Sequence, residues 1–233
     1  MNVVKTGAGT WTISGANVWS GGTIVEAGTL CVSGNTTSGG AVIVQDGAIL
    51  CLQNGTISTA SLNLAHGSAL PGNGTISGDL NIGGFATVTS DSGGTLTVTG
   101  SIVNNGVLRI AGDTSFNAVG SLTNNGVLDL LTSASALPPN FVNNGVVIEN
   151  SQRVITSAVK NGAEFACSCM GYAGHSYQLQ FSDTLNGDWF NIGAPVVGQG
   201  QLINWSVVNG GSGDRRFFRV LVTPLGGLER DLR

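Results

Sequence analysis

Charged side chains are scarce in this sequence: they make up 9% of the 233 residues, against roughly 25% in an ordinary soluble domain. A surface helix needs Glu, Lys and Arg at a 3.6-residue period, and no window of the chain sustains that pattern. Thr, Ser, Val, Ile, Asn and 37 glycines fill the chain instead. Because β-branched residues favour strands and Gly and Asn favour turns, the composition predicts an all-β protein.

Long apolar runs and an excess of positive charge are also lacking. No apolar stretch approaches the roughly 18 to 20 residues that cross a bilayer as a helix, so the sequence predicts no membrane span. The net charge of −4 offers no basic surface to nucleic acid. Four cysteines, an even number, permit disulfides and so fit an oxidising compartment.

Internal repeats dominate the first part of the chain. Three Asn-Asn-Gly segments, residues 103–108, 123–128 and 142–147, have glycines 20 and then 19 residues apart. A unit of this length is too short to bury its own apolar face, so it must stack on its neighbours. The period predicts a parallel β-solenoid with about 20 residues per coil, about seven coils and a length of roughly 35 Å.

Stacked coils place equivalent residues above one another, with Leu108 over Leu128 in the core. Asn tolerates left-handed φ, and its amide can bond the amide of the next coil. The sequence therefore predicts a corner stack of Asn104, Asn105, Asn124, Asn125, Asn143 and Asn144. Asn-Gly is also a strong hairpin signal, so an antiparallel alternative stays open, although partner strands at regular spacing are not evident.

The segment from Lys5 to Gly34, KTGAGTWTISGANVWSGGTIVEAGTLCVSG, closely resembles the autotransporter-associated β-strand repeat, or passenger-associated transport repeat. That pattern runs Lys-Thr-Gly-x-Gly-Thr-Trp-Thr-Leu-Ser-Gly-x-Asn-x-Tyr-Ser-Gly-Gly-Thr, and the core departs from it at Ile13 and Trp19. The resemblance implies a secreted, right-handed β-helix on a large bacterial surface protein. It does not imply a single activity.

Composition shifts near Asn150, where glycine corners thin out and both tyrosines and two of the four tryptophans follow. We therefore expect a solenoid domain over residues 1–150, a small antiparallel β-sandwich over 151–223 and a charged tail over 224–233. Tyr177, Leu179 and Phe181 alternate as one face of a sheet should. This second region resembles a C-terminal β-sandwich module that is common on secreted proteins of Verrucomicrobia and Planctomycetes.

Catalytic and metal chemistry find little support in the sequence. Glycan-cleaving β-helices need clustered carboxylates, and the acids of the coils do not recur at equivalent positions: Asp46, Asp79, Asp91, Asp113 and Asp129. Arg109 and Asp129 share a position after the corner glycine and predict an exposed ion pair between coils. Cys167, Cys169 and His175 lack an evident fourth zinc ligand. We expect no catalytic residue, metal or cofactor.

Aromatic and cysteine residues give three further hypotheses. Trp189 and Trp205 are weak candidates for stacking a sugar ring, against the stronger alternative that they fill the core of the second domain. Trp11 and Trp19 match the repeat and are expected to pack. Cys31 and Cys51 lie 20 residues apart, so a 20-residue coil step brings them within disulfide range, whereas the 19-residue step between Gly28 and Gly47 would place them on opposite faces.

The sequence therefore predicts a non-catalytic structural protein of the cell surface or extracellular space. A solenoid's first coil exposes unpaired backbone groups, and Met1 leads directly into the repeat without a cap. We expect either preceding coils in a longer chain or head-to-tail assembly of identical subunits into filaments. The alternatives are an adhesin module that binds surface polysaccharide and, third, a glycan-active β-helix enzyme.

Overall fold

The computed structural model describes residues 1–90, 93–112, 114–152, 155–185, 187–208 and 216–225. The chain divides into two compact units, Met1–Glu149 and Asn150–Arg233. Asp91, Asp113 and, from residue 226 onward, the expected charged tail lie outside the described residues. Within those ranges no helix has the length and apolar character that a membrane crossing requires.

The first unit is a β-solenoid of about seven turns with coils of about 20 residues, as the repeat period predicted. Its strands are β1 Val3–Lys5, β2 Thr10–Ile13, β3 Ala16–Trp19, β4 Thr23–Val25, β5 Thr29–Val32, β6 Asn35–Ser38, β7 Val42–Val44, β8 Ile49–Leu64, β9 Ala69–Ile82, β10 Thr87–Thr89, β11 Thr95–Val98, β12 Ile102–Asn104, β13 Val107–Arg109, β14 Ser115–Ala118, β15 Leu122–Asn124, β16 Val127–Asp129, β17 Phe141–Asn143 and β18 Val146–Ile148. The pairings described in this unit are parallel, which removes the hairpin alternative.

The strands stack into three ladders. A complete coil contributes one strand, or one part of a long strand, to each ladder. Ladder 1 contains β1, β4, β7, the ends of β8 and β9, then β12, β15 and β17. Ladder 2 contains β2, β5, the starts of β8 and β9, then β10, β13, β16 and β18. Ladder 3 contains β3, β6, the middles of β8 and β9, then β11 and β14.

Alternate residues of each strand point into the coil and form the core. In ladder 2 the inward column is at most 2% exposed and consists of Leu30, Leu50, Leu70, Val88, Leu108 and Leu128. The predicted placement of Leu108 over Leu128 is confirmed. Burial of such a side chain contributes roughly 1.5 to 3 kcal/mol, so the stacked column is the main source of stability.

The asparagines divide into two ladders that the sequence interpretation had merged into one corner. Asn104 and Asn124 end strands of ladder 1 and point inward, where they are fully buried. Asn104 Nδ2 donates to Asn124 Oδ1 at 2.7 Å, and Asn124 Nδ2 donates to Asn143 Oδ1 at 2.8 Å. Earlier coils place Val25, Val44, Leu64 and Ile82 at this same register position.

The following asparagines form the second ladder, on the outside of the corner. Asn125 Nδ2 donates to Asn105 Oδ1, and Asn144 Nδ2 donates to Asn125 Oδ1, each at 2.9 Å. Glycine must follow, because a Cβ on Gly126 would run into the carbonyl oxygen of Gly106 in the coil beneath. In the first two repeats Asn-Asn-Gly thus encodes one buried amide, one exposed amide and one close backbone contact, whereas Asn143 of the third repeat is exposed.

The second unit begins with a 3₁₀ turn at Asn150–Gln152 and contains two antiparallel sheets. Its strands are β19 Ile155–Asn161, β20 Glu164–Gly171, β21 His175–Ser182, β22 Phe190–Asn191, β23 Val196–Val197, β24 Gln201–Val207 and β25 Phe217–Pro224. β20 lies between β19 and β24 in one sheet. In the other, β21 pairs with β25 and with β22 and β23.

A small apolar cluster joins the two sheets of this unit. Cys169, Tyr177 and Ile203 are buried, with Trp205, Val220 and Val222 packed against them. Gln178 and Gln180, on the opposite face of β21, are each only 7% exposed. Their amides are satisfied within the protein: Gln178 Nε2 donates to the carbonyls of Ile192 and Gly193, and Gln180 Nε2 donates to Asn191 Oδ1.

The buried and exposed amide ladders allow a matched test of solenoid stability. We expect Asn124→Ala to lower the free energy of unfolding by about 2–3 kcal/mol, because it leaves buried polar groups of the ladder without their partners. Asn125→Ala should cost under about 1 kcal/mol, since water replaces the lost amide at an exposed site. Urea denaturation followed by circular dichroism measures both changes. Equal losses in the two variants would contradict the distinction.

Candidate functional site

The first coil of the solenoid leaves a core position partly uncovered. Trp11 occupies the inward position of ladder 2, below Leu30, yet it is 46% exposed whereas Leu30 is 2% exposed. Among the described residues, β1, β2 and β3 each pair on one side only, with β4, β5 and β6. The expectation that Trp11 packs as a core residue is therefore wrong for this coil, although Trp19 does pack against the core.

The backbone groups on the free side of this edge can be assigned from the hydrogen bonds on the other side. The carbonyls of Gly9 and Ile13 accept bonds from Thr29 and Ser33 of the next coil, at 3.2 and 3.0 Å. Successive peptide groups of a strand point in opposite directions. The N–H and C=O of Thr12, which is exposed, therefore face away from the solenoid.

Lys5 closes the corner between the first strands of ladders 1 and 2. It stands at the position of Val25 and is only 6% exposed. Its Nζ donates to the carbonyl oxygens of Thr6, Gly7 and Ala27, at 2.9, 2.7 and 2.9 Å. A buried ammonium group needs such acceptors, because it has left water. The lysine of the repeat thus ties the corner of one coil to that of the next.

Trp19 and Thr23 connect the third ladder to the start of the next coil. Trp19 Nε1 donates to Thr23 Oγ1 at 2.9 Å, and Thr23 Oγ1 donates to Ser38 Oγ at 3.2 Å. Ser38 Oγ in turn donates to the carbonyl of Gly21 at 3.1 Å. The Trp-Ser-Gly-Gly-Thr segment therefore carries a side-chain network that fixes this corner, and the tryptophan replaces the tyrosine of the repeat pattern without losing a donor.

The two tryptophans proposed for sugar binding are both half-buried. Trp205 packs against the core cluster of the second unit. Trp189 has Arg219 over its ring, with 4.2 Å from the guanidinium carbon to the ring centroid. These are the contacts that packing residues make. Binding of polysaccharide by Trp189 and Trp205 therefore stays a prediction without added support.

Asp129 has no second carboxylate at the equivalent position of either neighbouring coil. Its register neighbours in ladder 2 are Arg109 and Ile148. Arg109 Nε lies 2.9 Å from Asp129 Oδ2, and the two side chains are 11% and 2% exposed. The ion pair between coils was predicted, but its predicted exposure is wrong: the pair is buried, and Asp129 also accepts a bond from the Leu131 N–H.

The four cysteines are thiols in this structure. Cys31 and Cys51 are register partners on adjacent coils, as a 20-residue step requires. Cys167 and Cys169 lie on one face of β20, where burial and then the charge of Cys167 raise the pKa of Cys169 to about 11. Among the described residues no group of three or more His, Cys, Asp and Glu side chains could hold a metal ion.

Comparison with known proteins identifies one segment. Residues 3–32 match the family model of the passenger-associated transport repeat, which confirms the resemblance seen in the sequence. No curated protein and no solved structure matches the chain. The repeat and the β-solenoid fit a passenger-type surface protein of the autotransporter class. The resemblance of the second unit to a β-sandwich module of secreted proteins stays a prediction.

The alignment of Cys31 and Cys51 predicts a disulfide in the oxidised protein. Adjacent strands lie about 4.8 Å apart, within the separation of about 4.4 to 6.8 Å that a disulfide spans. We expect mild oxidation to link these two thiols, as detected by a non-reducing peptide map. Both peptides recovered unlinked after oxidation would reject the bridge.

The raised pKa of Cys169 predicts a specific loss of stability in alkali. Between the ordinary value of 9.0 and about 11, the unfolded chain releases a proton that the folded protein retains, so the free energy of unfolding should fall as pH rises. Below pH 9 this contribution is fully present. Cys169→Ala should show a shallower fall than the unsubstituted protein in urea titrations across this range, and identical slopes would contradict the assignment.

Proposed function

We propose that this protein is a non-catalytic structural component of a bacterial surface or extracellular assembly, and that its solenoid associates head-to-tail. One observation carries the proposal: among the described residues β1, β2 and β3 each pair on one side only, and Trp11, at a core position, is 46% exposed. Such an edge is a template for strand addition.

The other end of the solenoid supports the same arrangement. Within the described ranges β17 and β18 pair only with the coil before them, β15 and β16. Successive coils in the solenoid are related by parallel pairing at a constant register. A second copy whose first coil followed β17 and β18 would continue that pairing. Because the two surfaces differ, the contact is heterologous and would extend into a filament instead of closing into a dimer.

A structural role also agrees with the chemistry of the described side chains. Asp129 is engaged by Arg109 and by a backbone N–H, and Lys5 is held by three carbonyl oxygens. Groups that are satisfied in this way stabilise the fold. The type of repeat, which is typical of secreted passenger regions, supports localisation at the surface.

Blocking the free edge should prevent assembly. Thr12→Pro removes the N–H that faces away from the second coil and places a ring on the edge, a substitution that edge strands tolerate. We expect the unsubstituted protein to gain mass with concentration in light scattering and to form fibres in negative stain. Thr12→Pro should stay monomeric while keeping its circular dichroism spectrum.

Thr12→Val is the matched control, because it keeps the N–H and a β-branched side chain. It should assemble like the unsubstituted protein. A monodisperse monomer at high concentration without fibres would contradict the proposal of self-assembly. A closed dimer would show that the subunits associate symmetrically and not head-to-tail.

A further inference from the structure

Three stacked turns form the outer corner between ladders 1 and 2. They span residues 45–48, 65–68 and 83–86, and each is closed by a bond from the last N–H to the first carbonyl, at 3.0, 3.2 and 3.1 Å. The third residue of each turn has positive φ: 70° at Gly47, 72° at Gly67 and 59° at Phe85. This geometry normally requires Gly or Asn at that position.

Phe85 therefore occupies a glycine position. A bulky side chain in the left-handed region is an outlier that the surrounding structure must hold in place. Burial of the ring would offset that strain, yet Phe85 is 72% exposed. An exposed aromatic ring in an unfavourable backbone conformation is not explained by folding, which points to a role in contact with another molecule.

A histidine of the preceding coil contacts this ring, and an aspartate one coil earlier approaches that histidine. The His66 ring lies 4.9 Å from the Phe85 ring, tilted by 51°. His66 Nδ1 is 3.8 Å from Asp46 Oδ1, and both side chains are largely exposed. Gly84, beside Phe85 in the turn, has no side chain, and nothing outside its chain neighbours lies within 4 Å of a Cβ placed there.

Asn105 supplies an amide one coil further on. Its N–H bonds to the carbonyl of Ile82, immediately before the Phe85 turn. In the outer amide ladder Asn105 Oδ1 accepts from Asn125, and its Nδ2 makes no hydrogen bond among the described residues. Asp46 and His66 are the second residues of their turns, Phe85 is the third residue of its turn, and Asn105 follows Asn104 at the same corner of the next coil. The four residues thus belong to successive coils of one corner, which are spaced by about 4.8 Å. We call this row the Phe85 ridge.

We propose that the Phe85 ridge is a binding site for a neutral saccharide. The apolar face of a pyranose ring stacks on an aromatic ring, while its hydroxyl groups require donors and acceptors beside the platform. Phe85 supplies the platform, Asn105 a donor, Asp46 an acceptor and His66 a group that can serve as either.

Charge and size favour a saccharide over other ligands. The carboxylate of Asp46 and, at the same corner one coil earlier, that of Glu26 would repel sulfated or acidic glycans. A stable protein partner usually covers about 800 Å² on each side with an apolar centre. The ridge offers one aromatic ring between polar residues, which suits a small polar ligand better. This site is independent of the proposed strand edge.

Phe85→Gly separates the binding role from a structural one. Relief of positive φ at a non-glycine residue should raise the melting temperature by about 2–4 °C. The same change should abolish binding of cellotriose, maltotriose and N,N′,N″-triacetylchitotriose, screened as probes by ligand-observed NMR on the full chain. We expect at least one of these to bind the unsubstituted protein, and heparin oligosaccharides not to bind.

Two controls complete the design. Phe85→Tyr keeps the platform and should retain binding. Phe190→Gly removes a 54% exposed ring from the second unit and should leave binding unchanged.

The proposal is overturned if none of the three probes binds, if Phe85→Gly binds as well as the parent, or if Phe85→Gly lowers the melting temperature, which would assign the ring a packing role. A change in assembly mass in Phe85→Gly without saccharide binding would make the ridge a protein contact instead.

Discussion

Parallel stacking of coils at a constant register is the constraint on which every other feature of the solenoid depends. Each backbone and side chain meets the equivalent residue one coil before and after it, so a residue's environment is decided about 20 positions away in the chain. A leucine column builds a core, an asparagine column builds an amide ladder, and a column of glycines permits close backbone approach. At the first described coil an apolar residue at a core position, Trp11, is 46% exposed.

This dependence explains how much of the fold could be predicted. The glycine spacing gave the period, and the period gave the parallel architecture and the placement of Leu108 over Leu128. Burial was harder to predict, because it depends on where a column begins or ends and on what covers the outer face. Trp11, Arg109 and Asp129 were misjudged for this reason. The burial of Gln178 and Gln180 could not be predicted, because it depends on backbone carbonyls and an asparagine that satisfy their amides, a pairing that strand alternation does not reveal.

The roles of the candidate site residues could likewise be predicted only in part from the sequence. Motif matching located the repeat but not the function of its lysine, since three backbone carbonyls converge on Lys5 only after the coil has closed. Phe85 carried a signal that a stricter alignment of turns would have found. Placed under Ala65-His66-Gly67-Ser68, the segment Gly83-Gly84-Phe85-Ala86 shows an aromatic residue where the turn requires glycine. The assignment of Trp189 and Trp205, in contrast, depended on tertiary packing and could not be made from residue type.

The two amide ladders also determine whether partial charge accumulates at the ends of the solenoid. Inside, each asparagine donates to the coil after it, and this sense is fixed because the carbonyls of Val127 and Val146 can only accept. Outside, each asparagine donates to the coil before it. The two rows of dipoles therefore oppose each other and largely cancel. A helix accumulates partial charge at its termini; this corner of the solenoid can lengthen coil by coil without polarising either end.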